Sequence, residues 1–282
     1  ILAVAGLNRL LNYLPSKAKL EHLLTGKRKM VLPLFECPPA SGQGAIVVET
    51  ASTNIAAVEI LKAIKDEQLT NAIKNERQYA YKYGYGCSQQ FGTFHLDVKG
   101  LSFTYASVKD MEGDSFTEWD FNVNLNLADK QLFSSGEYMK DFFSYNNIDN
   151  CTIQSEVSTV FIASHKAVHS VTTAHSIAEK TVWAAGTKTW LHLAKMGIWV
   201  QGSADGLGLQ CILDTMQSNL IGSTKEKIQV ITNTASALHW IQDGWNALGT
   251  YELIPKNDSI LEAAIKKADI VFWTSFQQYL QF

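Results

Sequence analysis

Arginine is nearly absent from this chain of 282 residues. Only Arg9, Arg28 and Arg77 occur, and none follows Arg77. A polyanionic ligand held by the second half must therefore rest on lysines, hydroxyls or backbone N–H groups. Long apolar runs are also missing: none approaches the roughly 18–20 residues that span a bilayer, so no membrane partner is expected. The opening Ile1-Leu2-Ala3-Val4-Ala5 is apolar but short and has no basic region before it, unlike a signal peptide. It reads as a buried strand whose beginning lies outside the sequence. Cysteines are few and scattered: Cys37, Cys87, Cys151 and Cys211 form no CxxC pair. That argues against a disulfide framework and a zinc site and fits a reducing cytoplasm. His165, His169, His175, His192 and His239 show no metal-ligand spacing. A net charge of −3 is not that of a nucleic-acid binder, which normally shows a basic face.

What is present is core-forming material. Hydrophobic residues make up 46% of the chain and charged ones 18%, the balance of a folded globular protein of about two domains. Ile60, Leu61 and Ile64, then Leu69, Ala72, Ile73 and Arg77, recur at helical spacing and predict a helix pair over 57–83. Phe91–Val98, Leu101–Val108 and Phe116–Val123, separated by turns at Lys99-Gly100 and Asp110–Asp114, predict a three-stranded antiparallel meander packed on those helices. A polar stretch over 126–156 reads as a linker around one helix near Glu137–Phe143. Beyond it the rhythm alternates. Strands are expected at Thr159–Ala163, Thr181–Ala185, Ile228–Thr232 and Ile270–Thr274. Helices are expected at His165–Ile177, Lys188–Met196 and Ala235–Leu248. Alternation of this kind implies βαβ units and a parallel sheet. The fold expected is thus α+β, helices on a three-stranded antiparallel sheet, followed by an α/β parallel-sheet domain. No internal repeat is visible.

Three segments of the first half, taken in order, resemble porphobilinogen deaminase (hydroxymethylbilane synthase). They are Ile1–Leu10, then Pro39-Ala40-Ser41-Gly42-Gln43-Gly44-Ala45-Ile46-Val47-Val48-Glu49, then Glu76-Arg77 followed by Gly84-Tyr85-Gly86-Cys87-Ser88-Gln89. The resemblance covers about residues 1–125. It implies that Cys87 carries a dipyrromethane cofactor through a thioether. A soft sulfur on a loop suits attack on an electrophilic methylene pyrrole, and Gly84 and Gly86 leave room for the adduct. The alternative for Cys87 is a buried free cysteine that packs as a small hydrophobe. Tyr85 stands where the family more often has glycine. The family's catalytic aspartate and most of its substrate-binding arginines belong to a domain with no counterpart here, so this chain alone is not expected to consume porphobilinogen.

In the second half, Thr159–Val168, Val182–Leu191, Thr250–Pro255 and Asp269–Ser275 resemble, in order, four segments of uroporphyrinogen-III synthase. Ser164, Gly186, Thr187, Thr189, Thr274 and Ser275 all fall just after apolar strands, where hydroxyls and free N–H groups suit carboxylates. They are the candidate substrate-binding residues; the alternative is that they only cap helices. Tyr251 matches a tyrosine that the family places facing its cleft, and is the candidate catalytic proton donor to a departing hydroxyl. Its alternative is a half-buried strand tyrosine. The synthase's opening strand is not evident, and residues after Thr274-Ser275 that would complete its second domain are not found.

The organisation expected is therefore a remnant of the deaminase's first two domains over 1–50, its cofactor-carrying domain over 51–125, a linker over 126–156, a synthase-like α/β domain over 157–250 and the start of a second synthase domain over 251–282. The function implied is tetrapyrrole (haem) biosynthesis, with porphobilinogen and hydroxymethylbilane as small-molecule substrates and dipyrromethane as cofactor. The rival is a non-catalytic scaffold or tetrapyrrole-binding module that keeps these folds.

Overall fold

The structure is a computed structural model describing residues 1–83, 90–98, 100–109, 112–121, 127–149 and 151–282. The chain divides into two compact units, Ile1–Arg9 with Leu32–Asn124, and Leu10–Val31 with Leu125–Phe282. The first division falls inside helix α1 (Val4–Asn12). That helix replaces the strand expected at the start. Ile1 and Leu2 are exposed, and among the described residues no strand offers them an edge. Alanine and leucine favour helix when no sheet competes for them. Helix α2 (Leu14–Leu24) follows, with Pro15 in its first turn, where the missing N–H costs nothing.

In the first unit, α3 (Ile55–Ile64) is capped by Asn54, whose side chain accepts from Ala57 N–H at 3.2 Å. Asp66 accepts from Leu69 N–H at 2.9 Å and opens α4 (Glu67–Tyr83). The antiparallel sheet follows in the order β1 (Gln90–Val98), β2 (Leu101–Lys109), β3 (Ser115–Phe121). Gly100, at φ +82°, makes the tight turn that joins the first two strands. Tyr79 of α4 packs against Ala106 and Val108 on one face. On the other, Phe35 lies against Phe94, Phe103 and Tyr105, with ring centroids 5.2, 6.4 and 4.9 Å away.

After Leu10–Val31, the second unit resumes with β4 (Leu132–Ser134), α5 (Met139–Phe142) and β5 (Phe143–Asn147). The stretch expected to be a linker thus holds two strands. Then come β6 (Thr159–Ile162), α6 (Val171–Ala178), β7 (Thr181–Ala184), α7 (Thr187–Lys195), β8 (Val200–Ser203), α8 (Leu213–Gln217), β9 (Ile228–Asn233), α9 (Thr234–Gln242), β10 (Asn246–Pro255), α10 (Ser259–Lys267), β11 (Ile270–Phe272) and α11 (Phe276–Tyr279). The main sheet has six strands in the order β5-β10-β9-β6-β7-β8. It is mixed rather than wholly parallel: β5 runs antiparallel to β10, and the other neighbours are parallel. A separate parallel pair joins β11 to β4.

Both faces of the main sheet are covered, which is why the inner strands β6 and β7 are almost wholly apolar. Val160, Ile162, Val182 and Ile231 pack with Ile177 and Leu193 on one face. Phe161, Trp183, Ile228 and Val230 pack with Leu209 and Met216 on the other. The outer edge of β8 is dressed by the N-terminal segment. Val31 N–H donates to the Gln201 carbonyl at 2.6 Å, and the Trp199 indole donates to the Lys29 carbonyl at 3.0 Å. Lys29 Nζ donates to the Leu220 carbonyl at 2.9 Å.

Candidate functional site

The strand order places a switch point between β6 and β9. From β6 the chain winds outward through β7 and β8, then returns to the opposite side of β6 as β9. At such a point the loops leaving two neighbouring strands diverge and open a crevice at their carboxyl ends. A cleft of about 330 Å³ lies there. Ser164 follows β6, Asn233 ends β9, and both line it. Each is held by a local cap. Ser164 Oγ accepts from Lys166 N–H at 3.3 Å. Asn233 accepts from Ser236 N–H at 2.8 Å and donates to Ser236 Oγ at 2.9 Å.

Tyr251 forms the wall between them. It sits where β10 shifts register against β9 between Gly249 and Tyr251, so that Tyr251 pairs parallel with Asn233 of β9 on one side and antiparallel with Asn147 of β5 on the other. Such an irregularity re-aims a side chain. Tyr251 is 4% exposed, more buried than the half-buried strand tyrosine of the alternative reading, and belongs to the core of the sheet. Burial pushes its phenol above the ordinary value, and hydrogen bonding with the side chains of Ser164 and Asn233 offsets part of that rise. Tyr251 therefore holds its proton at neutral pH and is disposed to donate a hydrogen bond. Tyr145 of β5 meets it edge-to-face, centroids 6.3 Å apart at 67°. Lys166 Nζ lies 3.4 Å from the Tyr145 ring centroid, a cation–π contact. Of the residues that line the cleft, Lys166 alone carries a charge.

The structure brings three of the sequence-derived candidates, Ser164, Tyr251 and Ser275, to this cleft. Thr274 is not among its lining residues. Its N–H donates to Ser135 Oγ at 2.8 Å and its hydroxyl donates to Gln278 Oε1 at 3.0 Å, so it knots β11 to the β4 end. Gly186, Thr187 and Thr189 lie at the start of α7, outside the cleft lining. Cys87 lies outside the described residues. Lys166, Asn233 and Tyr145 were missed by sequence reasoning. Asn233 carries the same signal as Ser164, a capping residue directly after an apolar strand. Tyr145 was hidden in the polar stretch read as a linker.

A larger groove of about 1040 Å³ lies in the first unit, between residues 44–50 and helices α3 and α4. It holds none of the candidate site residues, and its wall includes the exposed side chains Ile46, Val47 and Val48. The smaller cleft is the better chemical candidate because polar groups and a protonated phenol converge on it. Among the described residues no group of three or more metal-ligating side chains exists, and no helix is long and apolar enough to cross a membrane. Compared with known proteins, the chain matches no family model and no curated protein.

Proposed function

We propose that the protein acts in tetrapyrrole biosynthesis, with the second unit binding a linear tetrapyrrole and closing it in the manner of a uroporphyrinogen-III synthase. The first unit, in this reading, is a deaminase-like domain whose Cys87 anchors a dipyrromethane. One observation carries the proposal: a buried, protonated phenol on the wall of a hydroxyl-lined cleft at the switch point of an α/β sheet. The ordered motif resemblance in both halves supports it.

The chemistry asked of the cleft is modest. Its volume suits the terminal substituted pyrrole of the substrate rather than all four rings, so the other rings extend beyond it. Tyr251 donates a proton as the C–O bond of the terminal hydroxymethyl group breaks and water departs. Ser164 and Asn233 hold the phenol, and Lys166 supplies the single positive charge toward the pyrrole's acid groups. The ring then closes with inversion of the last pyrrole.

The test is incubation of the full chain with hydroxymethylbilane, followed by chromatographic separation of the product isomers. Type III product in excess of spontaneous type I is the expected result, and Tyr251→Phe should slow its formation about tenfold to a thousandfold. Saturable binding of hydroxymethylbilane without type III product would instead favour the tetrapyrrole-binding module. Absence of both binding and turnover would refute the proposal.

A further inference from the structure

The residues at the start of α7 that do not line the cleft have company of a different kind. Lys188 and His192 are four apart on α7, so they share a face of that helix. The turn His165–Ala167, which follows Ser164, brings the His165 ring to His192, with centroids 5.4 Å apart and planes at 60°. Burial first, and then the charges of Lys188, His192 and Lys166, hold the pKa of His165 below the ordinary value. Among the described residues no carboxylate lies within ion-pairing distance of any of the four. Gly186 precedes α7 and offers no side chain to its first-turn N–H groups. Thr189, in that same turn, is buried.

Two lysines beside two imidazoles, with no acid partner among the described residues, leave a local positive potential that favours an anion. A bis-histidine metal site is the obvious competitor for the His165–His192 pair. The two lysines oppose it, because the charge that depresses His165 would also repel a cation.

The geometry points to a second binding site beside the cleft, where His165, Lys188 and His192, with Lys166 at their margin, take one compact oxyanion at the start of α7. Charge-assisted hydrogen bonds from the two imidazoles and Lys188 would grip two or three of its oxygens. Its source is either free phosphate or a carboxylate arm of a ligand whose ring occupies the cleft. The site itself does not depend on the synthase reading. Strands β9 and β10 also pack on this turn, and the ionisable groups on them are Tyr251 and Glu252. Glu252 Oε2 accepts from Asn146 Nδ2 at 3.5 Å on the β5 side.

The experiment follows the histidine ring protons by NMR in the full chain, at constant ionic strength. One arm adds inorganic phosphate against a chloride control. The second adds uroporphyrin, which carries eight carboxylates. Saturable movement of His165 and His192, with their titration midpoints raised, is the expected result in at least one arm. A response to phosphate identifies a free-ion site, and a response to uroporphyrin alone identifies a carboxylate arm. Lys188→Gln alters an exposed side chain and should weaken the effect about tenfold; His192→Gln should do the same. No saturable shift in either arm would overturn the proposal, as would a response to zinc ion alone. Because no turnover is measured, failure here leaves the synthase reading standing, and the reverse also holds.

Discussion

Replacing Tyr251 by phenylalanine separates the phenol's roles, because the ring stays and only the oxygen leaves. Tyr251 is 4% exposed, so its hydroxyl makes its bonds within protein. A net hydrogen bond contributes about 1 kcal/mol, and a polar group stranded in the interior costs about 1–3 kcal/mol more. Neither partner is stranded here. Ser164 Oγ already accepts from Lys166 N–H, and Asn233 is bonded twice to Ser236. The expected cost is therefore about 1 kcal/mol, or roughly 2–4 °C in melting temperature for a unit of this size. Tyr251→Ala also removes the ring and its edge contact with Tyr145, and should cost about 3–5 kcal/mol. The pH dependence gives an independent check. The folded protein holds the phenol proton more tightly than the unfolded chain does. That contribution is fully present below the unfolded value of about 10 and is lost as pH rises through the raised folded value. The stability gap between wild type and Tyr251→Phe should thus shrink or invert between about pH 9 and about pH 11. Tyr79, Tyr83 and Tyr105 are also raised, but they belong to the first unit and cancel in the difference. Calorimetric melts of the three proteins across that range decide the matter. A phenylalanine variant as damaged as the alanine one, or a gap flat in pH, would refute the reasoning.

Two further perturbations are specific. If Cys87 carries a dipyrromethane, intact mass of the isolated protein will show the adduct and Cys87→Ser will abolish it; an adduct on Cys37, Cys151 or Cys211 would remove the deaminase assignment. A Cβ on Gly249 would stand 2.7 Å from Thr234 Cα and 2.9 Å from its Cγ2, so Gly249→Ala must part β10 from α9. It should lower stability by about 1–3 kcal/mol and weaken ligand binding in the cleft, since Asn233 and Tyr251 flank that contact. A melting curve and a binding isotherm test both, and an unchanged protein would show that the approach of β10 to Thr234 is not close.

The β/α alternation of the second half was legible because strands covered on both faces cannot hide their apolar residues. The meander was legible from short alternating runs and the glycine turn at Gly100. What escaped did so for local reasons. Strand β8 reads Val-Gln-Gly-Ser, and Gly202 replaces an apolar residue because a Cβ there would lie 2.5 Å from the Trp183 ring. The helix expected over 165–177 is broken: Ser164 caps one short turn, and Ser170 restarts the helix by accepting from Thr173 N–H at 3.1 Å. The helix expected to reach Leu248 stops at Gln242, and after Gly244, at φ +76°, the chain enters β10. Strands β4 and β5 were lost in polar sequence because exposed edges need little apolar patterning. At the site, Ser164, Tyr251 and Ser275 could be named from motifs. Lys166, Tyr145 and Asn233 could not, since their role comes from strands that meet only in the folded sheet.

The dressing of β8 by Lys29 and Val31 means that the unit of the larger sheet is not built from one continuous stretch of chain. The chain contributes to the unit of the six-stranded sheet, leaves to build the antiparallel one, and comes back. A protein cut at residue 125 would keep every strand of the larger sheet yet uncover the flank of β8, where the Gln201 carbonyl would seek another partner. Bare flanks of that kind recruit foreign strands. The early segment is thus a built-in selvedge of the larger sheet.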